Sequence, residues 1–167
     1  MSLHAELLEQ AEHLARRERR RPKQASLRRA VSAAYYSLFH LLIYEFTIQV
    51  IRDPDLRPRF SRAFEHGEMK QTSQVFGRPN LSRDQLEKLA GGLTIPPDVQ
   101  QVAQAFVTLQ DARHDADYDL DKTFTAADVR ALISKAQQAF QAWQSVRKDP
   151  AAKMYLAAML LGRRREH

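Results

Sequence analysis

Apolar residues recur at helical spacing along most of the chain, and turn-forming clusters separate the runs. Leu3, Leu7, Leu8, Ala11, Leu14 and Ala15 form one stripe, which predicts a first helix over residues 2–20 closed by Pro22. Val31, Ala34, Tyr35, Leu38, Leu41, Leu42, Phe46 and Val50 form a wider one. That pattern predicts a long central helix over 24–52, broken at Asp53-Pro54 and Pro58. A shorter helix is expected over 60–75, before the Gly77-Arg78-Pro79-Asn80 turn. Ser82 with Gln85 has the form of a capping box for a brief helix ending at Gly91-Gly92. Pro96-Pro97 begin a helix that reaches Tyr118. Thr125 is placed to cap another over 126–147, with Val129, Leu132, Ile133, Ala136, Phe140 and Trp143 inward. Asp149-Pro150 open a last segment, Met154 to Leu161, that is apolar on nearly every side. It packs either into the bundle or against another subunit.

The expected fold class is all-α: a four-helix-type bundle with short additional helices and a C-terminal helix. The expected division is a helical bundle over 1–148, then a C-terminal helix and basic tail over 149–167. Five glycines in 167 residues, against many Ala, Leu, Gln, Arg and Glu, favour the same class.

One position breaks the apolar pattern. Val99, Val102, Phe106, Leu109, Arg113 and Ala116 follow at steps of three, four, three, four and three, so Arg113 occupies a seam position that suits leucine. A guanidinium keeps its proton in a protein and needs a carboxylate, a hydroxyl or a ligand there. Asp117, one turn on, is the nearest candidate. On the central helix Tyr35 shares the apolar face with Ala34 and Leu38, and its hydroxyl needs an interior partner, either Arg113 or Asp117. Tyr36 and His40 share the adjacent face.

Charge and chemistry narrow the function classes. The absence of cysteine excludes disulfides and thiolate-ligated zinc and points to a reducing, cytoplasmic setting. The longest apolar stretch, residues 30–44, is interrupted by Ser32, Ser37 and His40 and is too short to span a bilayer, so no membrane role is expected. The net charge of +6 is concentrated in residues 16–23 and in Arg163-Arg164-Arg165, runs that attract polyanions without sequence specificity. No glycine-rich phosphate loop and no His-Glu-x-x-His motif is present. The six histidines, His4, His13, His40, His66, His114 and His167, contain no pair four apart. Neighbouring His114, Asp115 and Asp117 face different ways on a helix, so no metal and no cofactor are expected.

The segment Ala30-Val-Ser-Ala-Ala-Tyr-Tyr-Ser-Leu-Phe-His40, then His66 in Phe-Glu-His-Gly, then Arg113-His-Asp-Ala-Asp-Tyr-Asp119 together resemble the HEPN family of helical-bundle domains, over about residues 5–147. The resemblance implies an α-helical bundle that dimerises and brings two late motifs together. It further implies either binding of RNA or a nucleotide, or metal-independent RNA cleavage. A toxin–antitoxin or defence setting with a minimal nucleotidyltransferase as partner goes with it. The family's ribonuclease motif is an arginine, commonly a polar residue next, and a histidine further on. Here Arg113 and His114 match the first two, and the position five after the arginine is Tyr118. Cleavage without metal needs a group to take the 2′-hydroxyl proton and another to stabilise the charged phosphorane. Arginine suits the second task. Tyrosine, with an ordinary pKa near 10, makes a poor base at neutral pH.

Three functions therefore stand side by side. The first is an RNA- or nucleotide-binding module using Arg113, Asp117, Tyr118, Tyr35, Tyr36, His40 and His66. The second is a weak ribonuclease using Arg113, His114 and Tyr118. The third is a non-catalytic structural or interaction protein that forms a homodimer.

Overall fold

The computed structural model describes residues 1–162, and the tail arginines 163–165 and His167 lie outside them. The fold is all-α: the described residues form eight α-helices and no strand. These are α1 (Leu3–Ala15), α2 (Gln24–Val50), α3 (Arg57–Ser61), α4 (His66–Phe76), α5 (Arg83–Ala90), α6 (Pro97–Tyr118), α7 (Ala126–Val146) and α8 (Pro150–Leu161). A single 3₁₀ turn, Pro54–Leu56, precedes α3. No helix among the described residues is long and apolar enough to cross a membrane.

Helix starts follow their capping chemistry. Ser82 and Gln85 exchange both hydrogen bonds of a capping box, and α5 ends on Gly91 in the left-handed conformation (φ 57°) that favours glycine. The Thr125 hydroxyl accepts from Asp128 N–H while Asp128 accepts from Thr125 N–H, opening α7 the same way. The Asp149 carboxylate accepts from Ala151 N–H at the head of α8.

Two boundaries differ from the pattern-based expectation. α1 stops at Ala15 rather than near residue 20. Extending it would set Arg16, Arg17, Arg19, Arg20 and Arg21 at repulsive three- and four-residue spacings, and Pro22 disfavours helix at residue 21. The helix expected over 60–75 is divided into α3 and α4. Between them Phe64 turns inward, buried edge-on against Phe46 with ring centroids 5.1 Å apart.

The chain forms two compact units. The first, residues 1–41 with 105–140, gathers four helical segments: α1, the start of α2, the end of α6 and most of α7. Leu27, Val31, Tyr35, Leu38, Phe106, Leu109, Val129 and Ala136 are among its fully buried residues. The Gln137 amide donates to Glu12, and His4 stacks near Phe140, which fastens α1 to α7.

The second unit comprises residues 42–104 and those from 141 onward. Here α8 packs on α4 and α5, burying Ala151, Ala152, Tyr155, Leu156 and Met159. One face of the apolar last segment is thus covered within the chain, while Met154 and Leu161 stay exposed. Tyr155 and Ser73 hydroxyls share a buried hydrogen bond at 2.7 Å. Glu45, 3% exposed, takes both Nε and Nη2 of Arg147, at 3.0 and 2.9 Å.

Candidate functional site

Within the first unit, α6 keeps the apolar seam that its spacing predicts. Phe106 and Leu109 are fully buried, Ala116 is nearly so, and Arg113 continues the same row with 16% of its side chain exposed. Its Nε lies 2.8 Å from Asp117 Oδ2. The N–H is poorly aligned on that oxygen and makes no regular hydrogen bond, so the contact is an ion pair. Nη2 donates to the Tyr36 hydroxyl at 2.7 Å. The Tyr36 hydroxyl, on the face of α2 beside Tyr35, is therefore a direct partner of Arg113. The guanidinium reaches past the interior row to the neighbouring face of α2.

Three rings surround the cation. Its central carbon lies 5.8 Å from the Tyr35 ring centroid, 5.4 Å from Tyr36 and 5.8 Å from Tyr118. Tyr35 is wholly buried and packs edge-on against Phe106. Burial pushes its phenol pKa well above the ordinary range, with Arg113 pulling the other way. Burial also works against the Arg113 charge, but Tyr36 and Asp117 outweigh it, and the guanidinium pKa is raised. Asp117 is fixed from its other side: Ser32 Oγ donates to Oδ1 at 2.7 Å. One carboxylate thus joins α2 to the arginine of α6.

The outer rim carries the remaining α6 residues. Tyr118 is 65% exposed and His114 is exposed, with their rings 5.2 Å apart. Tyr118 therefore touches the cation on one side and an imidazole on the other. His40 lies half-buried on α2, its ring 6.2 Å from Tyr36 and 5.2 Å from Phe39. Burial, and secondarily His4, lowers its pKa. His66 is the first residue of α4, in the second unit, whereas Arg113, Asp117, Tyr118, Tyr35, Tyr36 and His40 all belong to the first. No cluster of three or more His, Asp or Glu among the described residues is placed to hold a metal ion.

The pattern of apolar positions misses Arg28. Its Nη1 donates to the carbonyls of Asp115, Ala116 and Asp119, at 3.4, 3.0 and 2.8 Å, and its Nη2 donates to that of Lys122. These include the Ala116 carbonyl, which the last turn of α6 leaves without a helical partner, and a cation belongs at that negative end. Gln24 secures the same loop by exchanging two hydrogen bonds with the backbone of Phe124. A polar residue one turn before Ser32 gives a sequence no reason to expect four carbonyl partners.

The chain matches no family model, no curated protein and no solved structure.

Proposed function

We propose that the Arg113 site binds a phosphate-bearing ligand, RNA or a nucleotide, as a HEPN-like module. The observation that carries this is the incomplete use of Arg113. Of its five N–H groups, one faces Asp117 and one bonds Tyr36, and no other described acceptor takes the rest. The surrounding rings hold the planar cation in one orientation, which is the preparation that two-point phosphate recognition needs. Tyr118 and His114 beside it offer ring faces to a base.

Titration of 5′-AMP and of a short single-stranded RNA into wild type and Arg113→Ala tests the assignment. Loss of charge-assisted hydrogen bonds predicts binding weaker by about tenfold or more, since such bonds contribute about 1.5–3 kcal/mol. Equal binding by the two proteins overturns it.

A second reading, weak metal-independent RNA cleavage, draws on one further contact. The His114 ring meets Tyr118, which meets the guanidinium, so an imidazole stands near a transition-state-stabilising cation despite the absence of the family's later histidine. Incubation with single-stranded RNA in EDTA should then give cleavage that Arg113→Ala and His114→Ala both abolish. Cleavage indifferent to Arg113, or none, removes this reading and leaves binding.

A further inference from the structure

The segment that ends α1 early carries five arginines in six positions, Arg16, Arg17, Arg19, Arg20 and Arg21, and all five are exposed. The segment is anchored. Glu18, the one carboxylate in it, points back: Oε1 accepts from Ser26 Oγ at 2.9 Å, and Oε2 accepts from Lys23 N–H at 3.4 Å. Ser26 is buried in the first turn of α2. Burial works to raise the Glu18 pKa, but Ser26, the Lys23 amide and nearby cations overcome it, so the anchor stays ionised. Arg17 reaches Glu18 only loosely, at 3.8 Å, and its side chain is 64% exposed. The loop's own carboxylate is thus turned inward, and the arginines form an outward rim.

Arg16, Arg17 and Arg19 also line a groove of about 440 Å³ with His13, Glu9 and Glu12 on its helical wall. Glu12 is engaged by the Gln137 amide. The loop's anchor at Ser26 lies six residues before Ser32 and ten before Tyr36 on α2. At 1.5 Å and about 100° per residue, that is about 9 to 15 Å along the helix and about 80° to 120° around it. With stacked nucleotides rising about 3.4 Å each, roughly three to four of them cover it.

We propose that the ligand of the Arg113 site is one part of a single-stranded polynucleotide whose neighbouring phosphates run along the Arg16–Arg21 loop. This rests on the phosphate-binding reading of Arg113 and commits it to a polymer. Guanidinium forks suit phosphate oxygens. The exposed His114 and Tyr118 rings stack on unpaired bases, which a duplex does not offer. A lipid surface is the less suited polyanion, because Pro22 is the only apolar residue between Arg16 and Lys23 and nothing in the loop can insert into a bilayer.

The test uses the full chain, a labelled oligoadenylate of about 20 nucleotides and a salt series. Replacing Arg19, Arg20 and Arg21 together by Gln should weaken oligonucleotide binding at least tenfold at low salt. It should also flatten the log–log salt slope by about two, since each phosphate contact to a single strand contributes about 0.7. The corresponding triple Lys variant should stay within about threefold of wild type, because it keeps the charge. Binding of 5′-AMP should be unchanged in the Gln variant and lost in Arg113→Ala. An unaltered salt slope in the Gln variant overturns the proposal. So does equal affinity for AMP and oligonucleotide, or loop-dependent binding to phosphatidylserine vesicles without loop-dependent binding to RNA. Equal AMP binding by wild type and Arg113→Ala overturns the Arg113 reading itself, whatever the loop does.

Discussion

Each of the two compact units carries an arginine paired with a carboxylate, and the pairs are built differently. In the second, Arg147 meets Glu45 through two nearly parallel hydrogen bonds, and the Gln49 amide donates to the same carboxylate. In the first, Arg113 meets Asp117 through one misaligned contact, and Ser32 and Tyr36 complete the cluster. A fork-to-fork pair leaves the carboxylate at 3% exposure satisfied and uses the arginine as a fastener. The ring-enclosed arginine is oriented as firmly but keeps donors in reserve. A buried charge is therefore informative about function through the donors left over after its structural contacts are counted, more than through its burial.

This contrast can be broken or sharpened by substitution. The largest effect is expected for Glu45→Ala, which strands Arg147 opposite a buried space. Partial exposure of Arg147 lets water compensate, so the cost should be about 2–3 kcal/mol in a denaturant titration, at or just below the lower end of the range for broken buried pairs. Nucleotide binding should be unaffected. Arg28→Ala should come next, at about 1.5 kcal/mol, through loss of the carbonyl cap on α6. It should also increase amide exchange in residues 115–119, and unchanged exchange there would refute the capping role. Arg113→Met keeps the apolar bulk and removes the charge. Its stability change should stay within about 1 kcal/mol while phosphate binding is lost; a large destabilisation would place Arg113 with Arg147 as a fastener. Tyr36→Phe deletes one hydroxyl and should cost about 1 kcal/mol or less, with weaker orientation of the guanidinium read as a smaller loss of affinity than Arg113→Ala gives.

The smallest effect is pH dependence at His40. Its folded pKa lies below the ordinary 6.5, so the unfolded chain binds that proton more readily. The contribution to stability is complete above 6.5 and declines as pH falls toward the folded value. Comparing wild type with His40→Phe between about pH 7.5 and 5.5 should show a shallower acid-side loss in the variant. Parallel curves would contradict it.

The helical frame could be read from the chain because its signals are local. Ser82 with Gln85, the Thr125 cap, Pro96-Pro97 and Asp149-Pro150 each act within four residues, and the structure begins helices at all of them. The seam that isolates Arg113 is likewise a property of one helix. What pattern reading missed or placed wrongly depended on contacts between helices. It offered Arg113 or Asp117 to the Tyr35 hydroxyl and did not pair Arg113 with Tyr36, since period alone does not say how far a long side chain reaches across to α2. It extended α1 through the arginine run because a helix dipole favours cations at that end, whereas mutual repulsion and the Glu18 anchor decide the outcome. Arg28 gave no signal at all, because carbonyl capping from 87 to 94 residues away leaves no mark on spacing.

The Arg28 clasp bears on how long the site keeps its shape. A terminal helical turn ordinarily frays at little cost. Here the turn carrying Asp117 and Tyr118 can open only by prising a guanidinium of α2 off several carbonyls at once. The turn is consequently held in place, and under the proposed binding role a phosphate would meet a cradle already formed.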